Sequence, residues 1–236
     1  MKIIRLLFVV VLCAAFTNAQ KLPNLRVKPT PKFDRSSLCS AEGLETSKYN
    51  DPDLNRAKNR VDEAYMYFPV NFKEIRDLEV PQGVRGTRRS TWPKATRDAV
   101  AKWEGIPLQV EGFLALTEHS GSLVGGIRMG PELCNCQISG AEFVDYHLWL
   151  VNRVGDLKIN SIVIEMTPRV RKYHSQWTIR NLNSLGVLRI PVRVSGWLML
   201  DQEHAGNIKQ GQRANIWEIH PIMKFEYWKG NKWETL

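Results

Sequence analysis

The sequence is poor in cysteine, and its few cysteines do not form a known metal-binding motif. Four of the 236 residues are cysteines, and Cys13 lies in the N-terminal apolar run. The other three are Cys39, Cys134 and Cys136, an odd number that leaves at least one thiol outside any intramolecular disulfide. One residue between Cys134 and Cys136 is neither an easy disulfide spacing nor the usual zinc spacing. A bridge from Cys39 to either of them and unbridged thiols both remain open.

Familiar catalytic motifs are also absent from the sequence. The five histidines include no helical pair four residues apart, and no nucleophile elbow or closely spaced zinc motif occurs. Gly125-Gly126 lacks the lysine and the spacing of a phosphate-binding P-loop. No internal repeat or strongly biased tract is present. We therefore predict no cofactor from motifs, and any site must be assembled by the fold.

Long apolar runs are limited to one, which excludes a protein with several membrane spans. Lys2 and Arg5 precede the apolar stretch 6–16, and Ala19 offers a small residue for cleavage. This is the arrangement of a secretory signal peptide over residues 1–19, and it is too short to span a bilayer comfortably. We predict a secreted or periplasmic protein with no membrane span after cleavage, and an uncleaved anchor is the alternative.

Positive charge is in excess, but it is unevenly distributed along the chain. There are 33 Lys and Arg against 24 Asp and Glu, a formal charge of +9. The signal peptide carries +2, residues 20–102 carry +6, and residues 103–236 carry only +1. Hydrophobic residues make up 43% of the chain, which is enough for a sizeable core and excludes a wholly disordered protein.

The N-terminal third divides into a linker and an extension. Residues 20–36 are a basic, proline-containing linker, and residues 37–102 form a partly helical extension. Within it we predict a helix over 53–66 capped by Asp51, and a short helix over 97–103. A basic patch beside Trp92 also lies in the extension and consists of Arg85, Arg88, Arg89, Lys94 and Arg97.

From residue 103 onward the hydrophobic pattern changes to the alternation of β-strands. The predicted strands cover residues 106–117, 145–151, 160–167, 190–200 and 215–227. A helix is predicted over 170–185, between the third and fourth strands. Gly112 in the long first strand indicates a bulge or sharp coil, and Pro221 in the fifth indicates an edge, a bulge or a short break.

This order of elements resembles the OB-fold, a five-stranded Greek-key barrel with a helix between strands 3 and 4. The phrases 194–198 and 217–221 are also similar to those of uncharacterised exported bacterial OB-like proteins. The resemblance implies a mainly β protein with an OB-like barrel over residues 103–236, and no activity comes with it. Another small β-barrel or sandwich with a helical insertion is the rival fold.

The OB-like arrangement predicts a cluster of polar side chains on one surface. Its third strand lies beside the second and the fifth, and the alternation turns five polar residues of these strands away from the core. They are Asp145, His147, Glu165, Glu218 and His220. Two imidazoles and a carboxylate can bind a divalent metal whose water acts as nucleophile, or a His–carboxylate pair can serve as general base. The plainer interpretation is a solvated polar face, with the histidines hydrogen-bonded to strand neighbours.

Two further groups of residues deserve a functional interpretation. Asp201, Glu203 and His204 follow the fourth predicted strand, where capping and solvation are the usual roles. Trp149 is expected to face outward, and Trp197 shares its face with Arg193, so either could form a stacking platform for bases or sugars.

Together these features favour an exported binding module over an enzyme. The near-neutral barrel argues against strong phosphate-driven binding by the barrel alone, but the basic patch of the extension could supply positive charge. We predict recognition of a polyanion such as nucleic acid, of a glycan, or of a protein partner. The alternatives are a metal-dependent hydrolase of the phosphoesterase or nuclease type, and a structural envelope-associated domain. No oligomeric state is predicted.

Overall fold

The computed structural model describes residues 21–34, 40–44, 51–115, 128–129 and 144–236, with only the backbone described at 128–129. The predicted signal peptide and Cys39, Cys134 and Cys136 lie outside these residues. Among the helices of the described part, none has the length and apolarity needed to cross a bilayer.

The described residues contain eight strands and six α-helices. The strands are β1 (Phe68–Pro69), β2 (Pro107–Leu114), β3 (Arg128–Met129), β4 (Tyr146–Val151), β5 (Ile162–Met166), β6 (Val192–Leu200), β7 (Trp217–Lys229) and β8 (Lys232–Thr235). The helices are α1 (Pro52–Lys58), α2 (Phe72–Arg76), α3 (Lys94–Trp103), α4 (Pro168–Arg171), α5 (Ile179–Val187) and α6 (Ala205–Lys209).

Five strands close into a mixed barrel, in the order β2-β6-β7-β5-β4, with β4 pairing back onto β2. The β5–β7 pair is parallel, and the other pairs of the barrel are antiparallel. All five predicted strands are therefore present, and the third lies beside the second and the fifth. This closed barrel is compatible with an OB-like barrel. Three further strands pair with barrel strands: β1 with β2, β3 with β4, and β8 with β7.

Apolar side chains of the barrel strands fill one core. On β2 the predicted alternation is confirmed, because Leu108, Val110 and Leu114 are buried in it. The extension shares this core through Phe72 and Trp92. The extension and the barrel therefore pack as one hydrophobic unit. Fully burying a side chain such as Phe72 stabilises the fold by roughly 1.5–3 kcal/mol.

Two helices differ in length from the prediction. Asp51 caps α1 as expected, but α1 ends at Lys58 instead of continuing to residue 66. The side chain of Asn59 donates to the carbonyl of Ala41 and accepts from Arg169, and these contacts with distant segments replace a further helical turn. The helix predicted over 170–185 is also wrong as a single element. It is divided into α4 and α5, because the side chain of Thr178 caps a new helix start.

Glycine allows close strand packing at two points of the barrel. At Gly112, β2 changes its pairing partner from β6 to β4, and an added Cβ would lie 2.6 Å from the carbonyl oxygen of Val151. At Gly196 the β6–β7 register is irregular, and an added Cβ would lie 2.4 Å from the carbonyl oxygen of Pro221. The bulge predicted near Pro221 is thus confirmed, although β7 lies between β6 and β5 there and not at an edge.

Candidate metal centre

The three neighbouring strands β4, β5 and β7 bring together the five polar residues selected from the sequence. We call Asp145, His147, Glu165, Glu218 and His220 the His–carboxylate cluster. His147 is paired with Glu165 across β4 and β5, and Ile164 is paired with Ile219 across β5 and β7. Because side chains alternate along a strand, this register places the cluster on the side opposite the apolar core.

Glu165 lies at the centre of the cluster, between the two imidazoles. Its Oε1 is 2.8 Å from Nε2 of His147, and its Oε2 is 3.1 Å from Nδ1 of His220. Glu218 adds a contact of 3.3 Å from its Oε1 to the same Nδ1 of His220. The other oxygen of Glu218 accepts a hydrogen bond of 2.8 Å from Arg213, which balances its negative charge.

The cluster is buried, so the expectation of a solvated face is wrong, although both histidines contact a carboxylate of a neighbouring strand as that interpretation expected. Asp145, Glu165, Glu218 and His220 are all buried, and only His147 is partly open, with 18% of its side chain exposed. The negative charges of Glu165 and Glu218 act to raise the pKa of Lys58 on α1, so this helix lies close to the cluster. Burying ionisable groups is costly unless they are paired, and Glu165 and Glu218 each contact a basic side chain, His147 and Arg213 respectively.

Burial and charge pairing shift the pKa values of the cluster in opposite directions. Burial acts to raise the pKa of Glu165, but the charges of His147 and His220 outweigh it and hold that pKa well below its ordinary value. Burial acts to lower the pKa of His147, but Glu165 raises it overall. Burial raises the pKa of Asp145, with partial compensation from His220. Glu165 is therefore held as an anion between the two imidazoles.

Three residues of the cluster have the arrangement of metal ligands. Asp145, Glu165 and His220 each offer one ligand atom, and these atoms all lie within 4.8 Å of one another. Ligand atoms on a tetrahedral zinc-like ion are about 3.4 Å apart, given bond lengths of about 2.1 Å, so the set would have to contract by up to about 1.4 Å. Mixed imidazole and carboxylate ligands suit Zn²⁺ and Mn²⁺. Because metal ligands must be deprotonated, cation binding at this set would depend on pH.

A second set of charged residues connects this centre with the solvent. Asp201, Glu203 and His204 follow β6, as the sequence shows, and Lys58 approaches them from α1. The Oδ2 of Asp201 is 2.9 Å from Nζ of Lys58 and 2.9 Å from Nδ1 of His204. Asp201 also caps its turn by accepting from the backbone of Glu203, so the predicted capping role is present but is not its only contact. Lys58 has no signal in the sequence, because its partners are distant in the chain.

The two tryptophans predicted as stacking platforms are buried. Trp149 is 9% exposed, and its Nε1 donates to the carbonyl of Gln212 at 2.9 Å. Trp197 is 1% exposed, and its Nε1 donates to the carbonyl of Asp62 at 3.0 Å. The guanidinium of Arg60 covers the ring of Trp197 at 3.3 Å. The expectation of an exposed aromatic face is therefore wrong, because chain segments outside the barrel strands cover both rings.

Arg193 does not stand beside an open ring of Trp197. It forms a bidentate pair with Glu226, at 2.9 and 2.7 Å, and its guanidinium lies 4.6 Å from the ring centre of Trp233. Its charge is thus engaged within the sheet surface.

The predicted basic patch is not one continuous cationic surface. Arg89 is buried and makes a bidentate pair with Glu104, at 2.6 and 2.8 Å, while its backbone N–H donates to Asp51 at 2.8 Å. Lys94 pairs with Asp98 at 2.6 Å. Arg97 donates to the backbone carbonyl of Trp92. Arg85 and Arg88 are exposed.

The comparisons with known proteins assign no family to this architecture. No protein-family model matches the chain, and searches of curated proteins and of solved structures gave no significant match.

Proposed function

We propose that this protein is a metal-dependent hydrolase whose centre is formed by Asp145, Glu165 and His220. The observation that carries the proposal is the convergence of these three ligand atoms within 4.8 Å on neighbouring strands. A bound divalent cation lowers the pKa of its water and so supplies a nucleophile at neutral pH. The protein's residues hold the cation, and His147 and Glu218 orient the ligands Glu165 and His220 through their contacts.

The proposed centre supports an anionic ester as substrate, and we propose a phosphoester. A divalent cation held by Asp145, Glu165 and His220 would polarise a phosphoryl oxygen. The net charge of +1 over residues 103–236 gives the barrel itself little attraction for anions. The substrate would approach from the side where the cluster reaches solvent. There the side chains of Glu203 and His204 are 24% and 31% exposed.

A hydrolase fits the structure better than the binding module or the structural domain that the sequence also suggested. A binding module for a polyanion, glycan or protein partner loses support because Trp149 and Trp197 are buried. A purely structural domain has little need for a buried His–carboxylate cluster, because apolar residues of similar volume usually stabilise a fold at least as well. Perturbed ionisable groups in one place are more typical of functional sites.

The strand order of the barrel supports the finer assignment of the fold as OB-like. We retain the proposal that residues 103–236 form an exported OB-like barrel and that residues 1–19 are removed as a signal peptide. Edman sequencing or mass spectrometry of the mature protein tests the cleavage site directly.

Metal binding and hydrolysis are tested together on the purified protein after dialysis against chelator. Isothermal titration with Mn²⁺ and Zn²⁺ should show one site per chain, and the metal-loaded protein should hydrolyse bis(p-nitrophenyl) phosphate. Glu165→Gln should weaken metal binding by about a hundredfold and abolish hydrolysis. Glu111→Gln, on β2 and outside the cluster, is the matched control and should bind metal normally. Absence of metal binding by the folded wild type overturns the metal centre, and binding without phosphoester hydrolysis overturns the hydrolase.

A further inference from the structure

The solvent side of the His–carboxylate cluster carries a histidine held by a buried carboxylate. Nδ1 of His204 is 2.9 Å from Oδ2 of Asp201. Asp201 is fully buried, whereas 31% of the His204 side chain is exposed. The same carboxylate oxygen is 2.9 Å from Nζ of Lys58, and the other accepts from the backbone N–H of Glu203 at 2.9 Å. Asp201 is thus fixed by its own contacts and holds one edge of the imidazole.

The contacts of Asp201 determine which nitrogen of His204 exchanges protons. Burial acts to raise the pKa of Asp201, but Lys58 and His204 hold it well below its ordinary value, so Asp201 is an anion. An anionic carboxylate beside Nδ1 keeps a proton on that nitrogen. The nitrogen left for exchange is Nε2, on the opposite edge of the ring. This is the arrangement by which a carboxylate orients an imidazole for proton transfer.

His204 lies next to the proposed metal centre but outside its ligand set. Its ring centre is 6.3 Å from that of His147, in an edge-on arrangement, and His147 contacts the ligand Glu165 at 2.8 Å. The charged groups that face His204 are Asp201, Glu203 and His147, with Lys58 behind Asp201. With 31% of its side chain exposed against 18% for His147, His204 is the more open of these two neighbouring imidazoles.

We propose that His204 is the proton donor to the leaving group, with Asp201 as its positioning residue, in the hydrolase proposed above. Water attacks phosphorus and releases one proton to the solvent. The bond from phosphorus to the leaving oxygen breaks, and that oxygen takes the proton from Nε2 of His204. The imidazole regains a proton from solvent, while Asp201 stabilises its cationic form without itself changing protonation. The inference rests on the proposed function, and it assigns a role to a residue outside the metal ligands.

The dependence on the leaving group tests this role. A general acid matters most for a basic leaving oxygen, so His204→Asn should slow hydrolysis of diphenyl phosphate by about 10²–10⁴-fold. With bis(p-nitrophenyl) phosphate, whose leaving group departs readily as an anion, the loss should be below about tenfold. Metal affinity by titration should be unchanged. His174→Asn is the matched control, because His174 stacks on Trp177 away from the cluster.

A second measurement does not depend on activity. Nitrogen-15 NMR of the wild type should show His204 as the Nδ1-protonated tautomer when neutral, and Asp201→Asn should reduce the preference for this tautomer. Equal losses with both substrates, or an Nε2-protonated tautomer, overturn the role of His204 and leave the hydrolase intact. A metal-loaded wild type without hydrolysis overturns both, and losses in His174→Asn equal to those in His204→Asn overturn the specific role of His204.

Discussion

The close approach of β6 and β7 at Gly196 leads to a prediction about both stability and the metal centre. Replacing Gly196 by alanine adds a Cβ that would lie 2.4 Å from the carbonyl oxygen of Pro221 and 2.5 Å from Cγ2 of Ile219. It would also lie 3.1 Å from Cα of Ile222. Two of these atoms belong to the backbone of a central strand, so no side-chain rotation relieves the overlap.

The size of the effect follows from the overlap. Overpacking in a well-packed core costs about 1–3 kcal/mol, and contact with backbone puts Gly196→Ala near the upper limit, at about 3 kcal/mol. For a protein of this size 1 kcal/mol shifts the melting temperature by about 2–4 °C, which predicts a decrease of roughly 6–12 °C. Because the displaced part of β7 carries Glu218 and His220, metal affinity should also fall, by at least about tenfold.

The measurement compares two glycine variants of the same chain. Urea unfolding followed by tryptophan fluorescence gives the free energy of unfolding, and titration with Mn²⁺ gives the affinity. Gly206→Ala is the matched control, because an added Cβ at Gly206 in α6 meets nothing within 4 Å and alanine favours a helix. Stability of Gly196→Ala within about 0.5 kcal/mol of the wild type would refute the argument from close packing.

Two other predictions concern buried charges of the extension and the linker. Arg89→Met should lower the free energy of unfolding by about 3–5 kcal/mol in urea, because it leaves the carboxylate of Glu104 without its positively charged partner. The exposed Arg88→Met should change stability by less than about 0.5 kcal/mol, and similar effects of the two would contradict the assignment. Burial acts to raise the pKa of Asp34, but hydrogen bonds from Lys172 and Arg169 lower it below its ordinary value of 3.8. The stability from Asp34 is therefore complete above pH 3.8 and is lost as the pH falls through the lower, folded-state value. Unfolding of Asp34→Asn should depend less on pH in this range, and an unchanged pH profile would argue against the pairing.

Local sequence patterns predicted the five barrel strands and the side of each strand on which the polar residues of the candidate site lie. A period of two residues turns Asp145 and His147 away from the core, and the same alternation applies to Glu165 on its own strand. The convergence of Glu218 and His220 with them depended on the third predicted strand lying beside the second and the fifth, and the order β7-β5-β4 shows this neighbourhood. These properties are predictable because each depends on neighbours within one strand or on a short list of barrel topologies.

Only the tertiary structure decided whether these groups are buried and what they contact. From the sequence, a solvated face is the plainer expectation for the cluster. The local pattern contains no information on Lys58, which approaches from another part of the chain. For the same reason Trp197 reads as an exposed platform, although Arg60 and Asp62 cover it. Alternation along a strand specifies the direction of a side chain. Its environment depends on contacts between distant segments, and those form only when the chain folds.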